Sequence, residues 1–292
     1  MTPIVRVGTA TAPDGALLSW RADGQGPVAL IASNGIGVAT FFWRRLAQHF
    51  AATHTFITWD YRGHGRSPVP QNPENLTVAL CARDLWTVAD RVGVGRAVLL
   101  GHSMGTQVLL EALRQNPGRP QALIPVLGAA GNVFESFLGS AAFKPALRLL
   151  IELGAGNARL AGRALSTAVR LPGVWEAVKA LGVVHPDLCP KEEFEPYFDH
   201  LAQLDLRGYF ALARDLLSHD ASDLLEQIHL PTLVIAGERD LFVPLRRSRE
   251  LAARISGAEL LVVREGSHAA MVEQPELLAL SIEKFLRAHA LA

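Results

Sequence analysis

Residues 97–114 place the tightest limit on how this chain can fold. An apolar run at 97–100 leads straight into Gly101-His102-Ser103-Met104-Gly105, and helical periodicity then continues to Arg114. A strand that passes into a helix within five residues holds Ser103 on a sharp turn with strained backbone angles. Glycine on each side avoids the clashes that a Cβ would create there. Such a turn pushes the hydroxyl beyond the end of the strand and sets it at a helix N-terminus, where free N–H groups favour developing negative charge. The pattern is G-x-S-x-G in the strand–turn–helix context that a nucleophile elbow requires.

The rest of the chain suits a sheet built around that strand. Residues 4–7 and 17–20 read as an opening antiparallel pair about the turn Pro13-Asp14-Gly15. Short apolar or β-branched runs at 28–32, 55–59, 123–127, 232–236 and 260–263 read as further strands. Helical spacing is predicted over 76–92, with Leu76, Leu80, Leu85 and Val88 on one side, and over 275–290. Strands alternating with helices predict an α/β fold: a mostly parallel, doubly wound sheet with helices on both faces.

Between 132 and 227 the alternation stops. Helical periodicity persists, broken at Gly154, Gly156, Pro172-Gly173, Gly182, Pro186 and Pro190, with no convincing strand. This predicts a helical cap over 132–227, inserted into a core made of 1–131 and 228–292. Residues 132–182 of the cap carry more Lys and Arg than acids, whereas 183–227 are strongly acidic. Two solvated helical faces that pair with each other account for this asymmetry.

Composition removes several classes of function. The 292 residues hold 28 basic and 28 acidic side chains, a formal net charge of zero, which disfavours a nucleic-acid partner. Cys81 and Cys189 lie far apart and outside any C-x-x-C pair, as expected of buried free thiols in a reducing compartment. The histidines lack metal-ligand spacing and no glycine-rich phosphate loop follows the first strands, so neither metal nor cofactor is expected. No basic-then-apolar leader opens the chain, and no run of about 18 apolar residues occurs, so a cytoplasmic protein without stable membrane insertion is expected. A homodimer stays open.

A serine hydroxyl needs a base. Of the ten histidines, His268 in Glu265-Gly266-Ser267-His268 follows the last strand on a loop at the same sheet edge as Ser103. Its imidazole needs an orienting carboxylate, and Asp240 follows the strand at 232–236 in Gly237-Glu238-Arg239-Asp240. Glu238 competes for that role. Asp240 is preferred because the intervening residues let the loop leave the strand before the carboxylate turns back. The order Ser103, Asp240, His268 is the one expected of this architecture. For the oxyanion, one donor is the backbone N–H of Met104. The other is the N–H of Ile36, in the turn Ser33-Asn34-Gly35-Ile36-Gly37. Asn34, Gly35 and His102 are the candidate substrate contacts. Asp60, after another strand, is read as holding the turn at 62–65.

Together Gly101-His102-Ser103-Met104-Gly105, Asp60-Tyr61-Arg62-Gly63-His64-Gly65-Arg66-Ser67, Gly237-Glu238-Arg239-Asp240 and Gly266-Ser267-His268 resemble the α/β-hydrolase superfamily, in the branch with an N-terminal hairpin and a helical cap. The resemblance covers essentially the whole chain. It implies a nucleophile, acid and base at Ser103, Asp240 and His268, acting on a small-molecule ester or lactone. Two positions depart from the common pattern. Asn34-Gly35 stands where many members have His-Gly, a variant similar to enol-lactone hydrolases, and Thr106 stands where a second glycine is common. Esters, lactones, thioesters, carbon–carbon bonds and cofactor-free perhydrolysis all stay compatible with serine. A receptor that kept the fold and lost turnover is the alternative of another class.

Overall fold

A computed structural model describes residues 4–131 and 144–292. Its centre is an eight-stranded sheet in the order β1-β2-β4-β3-β5-β6-β7-β8. β1 (Val5–Thr11) and β2 (Leu17–Asp23) form an antiparallel hairpin, and β2 pairs antiparallel with β4 (Thr55–Trp59). β3 (Ala29–Ser33), β5 (Ala97–His102), β6 (Pro120–Val126), β7 (Leu233–Gly237) and β8 (Glu259–Val263) continue in parallel from β4. The mostly parallel sheet expected from the alternation is present.

β3, β4, β5 and β7 are buried along their whole length. That is why they read as apolar or β-branched runs: a parallel strand covered on both faces has no solvent side to make polar. α1 (Arg44–Phe50) covers one face together with the later C-terminal helix, through Leu46, Phe50, Ile282 and Phe285. α2 (Val78–Val92) and α3 (Met104–Gln115) cover the other, through Leu85, Val88, Val108 and Leu109. Trp86 Nε1 ties these two helices together by donating to Ala112 O at 3.0 Å.

Some boundaries differ from the sequence reading, each for a local reason. β1 extends to Thr11 because its alternate residues keep pairing with β2 up to the turn that Ala12 N closes on Ala16 O. α2 starts at Val78 rather than Leu76, because Thr77 Oγ1 accepts from Leu80 N and caps the helix there.

Between β6 and β7 the described chain is helical: α4 (Lys144–Gly156), α5 (Ala158–Ala168), α6 (Val174–Ala180), α7 (Lys191–Leu201) and α8 (Leu206–Leu216). The first part of the expected cap, 132–143, lies outside the described residues. Arg214, from the acidic half, meets Glu152, from the basic half, at 2.8 Å, the reverse of the pairing expected from the charge asymmetry, and Lys179 pairs within its own half with Glu176 at 2.7 Å. After β7 come α9 (Leu245–Arg254), then β8, the short α10 (Ala270–Glu273) and α11 (Pro275–Ala288). Among the described residues no helix is long and apolar enough to cross a membrane.

Candidate active site

The turns after β3, β5, β7 and β8 leave the sheet at one rim, the carboxyl edge where open α/β sheets bind ligands. At the end of β5, Ser103 has φ 54° and ψ −118°, a conformation that costs a non-glycine residue about 1–3 kcal/mol. The surroundings hold it there. Ser103 N donates to Val126 O (2.9 Å), and Ser103 O accepts from Thr106 N (2.9 Å). A Cβ on Gly101 would lie 2.2 Å from Gly105 O, and one on Gly105 would lie 2.4 Å from Ser33 O. Thr106 fits because its hydroxyl donates to Gly101 O at 3.0 Å, and because Gly128 leaves room for it: a Cβ there would stand 2.0 Å from Thr106 Oγ1.

Asp240 and His268 are in direct contact, Nδ1 to Oδ2 at 2.8 Å. The other carboxylate oxygen accepts from Phe242 N (2.8 Å) and Val243 N (2.9 Å), so the loop itself aims the acid. A carboxylate can only accept, which assigns the proton to Nδ1 and leaves Nε2 with its lone pair. The imidazole is gripped between His102 and Phe242, with ring centres 4.9 and 5.0 Å away. Ser103 and His268 line the same cavity. Among the described residues the Ser103 hydroxyl makes no hydrogen bond, a looseness common in sites without substrate. Glu238, the competing acid, accepts instead from Glu265 N at 2.9 Å.

Ile36 and Met104 also line this cavity, and among the described residues neither backbone N–H has an acceptor. Gly35 lies at the wall, so close that a Cβ would come within 3.0 Å of His102 Nδ1 and 3.1 Å of Ser103 Cβ.

Asn34 departs from the sequence reading. It is fully buried and does not line the cavity: Nδ2 donates to Trp59 O (2.8 Å), and Oδ1 accepts from Trp43 Nε1 (2.9 Å). Its polar groups are consumed by the core, so it is not a substrate contact. His102 is part of the wall, but its polarity is turned inward. Nε2 donates to His268 O at 3.1 Å, and burial, with the neighbouring His268, pushes its pKa down to about 3. The neutral ring therefore tethers the His268 loop to the elbow.

The cavity measures about 250 Å³. The helices between β6 and β7 add Leu147 and Ile151 of α4, Phe194 and Tyr197 of α7, and Tyr209 and Leu216 of α8, beside Val38 and Phe42 from the segment after β3 and Phe242 and Val243 from the loop after β7. No Lys, Arg, Asp or Glu lines it among the described residues. The sequence reading named none of these helical wall residues, because apolar spacing on a helix looks the same whether it faces a core or a cavity. A larger, polar cleft of about 430 Å³, lined by Arg21, Arg44, Arg66, Asp23 and Asp60, contains neither Ser103 nor His268. The cysteines are poor nucleophiles. Burial pushes the Cys189 thiol up to about 12 and that of Cys81 well above its ordinary value. Among the described residues no cluster of three or more His, Cys, Asp or Glu is placed to hold a metal.

The family model for the alpha/beta hydrolase fold matches residues 29–275, which hold six of the eight strands and the turns that carry Ile36, Ser103, Asp240 and His268. The chain belongs to the alpha/beta hydrolase fold family. A relative named "Putative carbamate hydrolase RutD", from Stutzerimonas stutzeri (strain A1501), is 26% identical over 247 residues, covering 85% of this chain and 87% of that protein. The structure of a hydrolase from Pseudomonas aeruginosa PA01 superposes with a TM-score of 0.72 at 26% identity, over 96% of this chain and 98% of that one. The enol-lactonase from Burkholderia xenovorans LB400 gives 0.73 at 21% identity, over 97% and 100%, a likeness of fold. This alpha/beta hydrolase fold member is thus a hydrolase by kinship; its bond and substrate are a matter for chemistry.

Proposed function

We propose that this hydrolase cleaves carboxylic esters with an apolar acyl group, through an acyl-enzyme on Ser103. The observation that carries the reading is the oriented Asp240–His268 pair sharing one apolar cavity with the strained Ser103. His268 Nε2 takes the Ser103 proton as Oγ attacks the ester carbonyl, while the N–H groups of Ile36 and Met104 stabilise the oxyanion. Collapse of the tetrahedral intermediate breaks the bond to the alcohol, which leaves with the proton from His268. A water molecule, giving its proton to His268, then attacks the acyl carbonyl. Release of the acid returns that proton to Ser103. Asp240 keeps Nδ1 protonated throughout.

The apolar walls favour an ester with an apolar acyl group over the carbamate for which the RutD relative is named, since only His102, Ser103, His268, Tyr197 and Tyr209 bring polar side chains to the wall. A compact apolar lactone is the second reading. It is supported by Gly35 at the wall and by a cavity near the small end for ligand sites. The helices between β6 and β7 serve as the lid in either case, because α4, α7 and α8 supply the walls facing Ser103.

The test is turnover of p-nitrophenyl esters and small lactones by the wild type and by Ser103→Ala. The variant is expected to keep its far-UV circular dichroism and lose at least about 10³-fold in kcat. Unchanged turnover refutes the reading. Labelling of Ser103 by a fluorophosphonate in a protein that binds but never turns over these compounds indicates the receptor alternative.

A further inference from the structure

The motif at residues 60–67 takes no part in the mechanism above, yet it is among the most heavily bonded stretches of the chain. We propose that residues 59–64 form a brace that holds the oxyanion turn, with His64 as the positioning residue that sets the direction of the Ile36 N–H. The inference rests on the serine-hydrolase reading and deepens it.

Ile36 stands between Gly35 and Gly37, and Gly37 has φ +69°. Two glycines leave the turn little stiffness of its own, whereas an oxyanion donor works only if it is already aimed when charge develops. Residues 59–64 supply that stiffness through four bonds on both sides of Ile36. Asn34 Nδ2 donates to Trp59 O (2.8 Å), and Tyr61 Oη donates to Asn34 O (2.7 Å). Gly37 N donates to His64 Nε2 (3.3 Å), and Thr40 N donates to Asp60 Oδ1 (3.0 Å).

The bond at Gly37 adjoins Ile36, and it depends on the state of one ring. His64 Nδ1 lies 3.2 Å from Arg62 O. A carbonyl only accepts, so Nδ1 carries the proton and Nε2 offers its lone pair to Gly37. A protonated ring would donate at both nitrogens and lose that bond. Burial pushes the His64 pKa down to about 4, which keeps the ring neutral at working pH. The brace is itself anchored. Arg62 makes two bonds to Asp84 at 2.7 Å and a third to Asp14, while Asp60 Oδ2 accepts from Arg66 N at 3.0 Å and Ser67 Oγ donates to Asp60 O at 2.7 Å. His200 of α7 packs beside His64, with ring centres 6.0 Å apart, so the lid rests on the same brace.

The experiment compares wild type, His64→Leu and His64→Gln in the full chain, using a p-nitrophenyl ester and a trifluoromethyl ketone that forms a tetrahedral adduct with serine. His64→Leu is expected to lower kcat by about tenfold or more, with KM within about twofold. The ketone's affinity should weaken by the same factor as kcat. His64→Gln, whose amide can accept from Gly37 and donate to Arg62 O, should recover most of both. If His64→Leu does not fold, Tyr61→Phe takes its place and should lower kcat by about threefold or more at steady KM. A folded His64→Leu, or in its place Tyr61→Phe, with unchanged kcat and ketone affinity overturns the brace, as does a change confined to KM. A wild type that neither turns over esters nor binds the ketone removes the serine reading, and the brace's purpose with it. A folded His64→Leu, or Tyr61→Phe in its place, as active as an active wild type removes the brace alone.

Discussion

His268 Nδ1 lies 2.8 Å from Asp240 Oδ2, and the Asp240 side chain has no solvent exposure at all. A carboxylate removed from water this fully needs partners, and it has three: the imidazole and the N–H groups of Phe242 and Val243. Asp240→Asn can keep the two backbone bonds through its amide oxygen. Its NH₂ would then face Nδ1 as a donor, forcing the imidazole proton onto Nε2, where it blocks proton abstraction from Ser103. The expected result is a folded protein with kcat lowered about 10³–10⁴-fold and KM little changed, measured by steady-state ester hydrolysis. A loss below about tenfold would show that Asp240 does not set the tautomer.

The elbow glycines make a prediction about stability rather than rate. A Cβ at Gly101 meets the backbone oxygen of Gly105, and one at Gly105 meets that of Ser33, both well under 3 Å. Backbone atoms cannot swing aside as a flexible side chain can. Gly101→Ala and Gly105→Ala should therefore each cost about 3 kcal/mol or more, read as a fall in the urea midpoint. Gly95→Ala, where a Cβ meets nothing within 4 Å, is the control and should shift the midpoint little.

What the sequence revealed follows from how local each signal is. The elbow at 101–105 was legible because glycine, serine and glycine are demanded by the backbone of one turn. The strand read at 28–32 was legible because burial on both faces leaves an unbroken apolar run. Asn34 misled for the opposite reason. Whether a polar side chain after a strand faces ligand or core is decided by Trp43 and Trp59, 9 and 25 residues away, and nothing next to Asn34 announces them. His102 shows the same limit, since adjacency to Ser103 says nothing about where its ring nitrogens point. His64 sat in plain view within a turn motif, but its partner Gly37 is 27 residues distant. The walls contributed by α4, α7 and α8 carried no distinguishing mark, because only the packed chain separates a cavity face from a core face.

Those walls make acyl length a readable quantity. Ile151 is 5% exposed, lines the cavity from α4 and shares it with Ser103. Each methylene buried there is worth about 0.8 kcal/mol, so kcat/KM should rise roughly three- to fourfold per added carbon until the cavity is full. Ile151→Trp fills part of the space. It should leave acetyl ester hydrolysis within about threefold of wild type while lowering kcat/KM for octanoyl esters by more than about tenfold. Equal losses on both esters would mean that the acyl chain lies elsewhere.

Acid should destabilise the fold through three histidines held neutral by burial, His64, His102 and His200, the last with its pKa pushed down to about 4. Burial pushes the pKa of His64 down to about 4 and that of His102 to about 3, against about 6.5 in an unfolded chain. Below pH 6.5 the unfolded chain takes up protons that the folded chain refuses, so stability is fully present above that pH. It is lost as pH falls toward 4, by up to about 1.4 kcal/mol per pH unit for each ring. Asp60 and Asp84, whose carboxyls burial pushes up, act with the opposite sign and blunt the loss at the acid end. The His64 part is therefore isolated by difference. The urea midpoint of wild type should fall more steeply between pH 6.5 and 4.5 than that of His64→Gln, which has no proton to gain at that position. Parallel slopes for the two proteins would mean that His64 is protonated as easily in the fold as out of it.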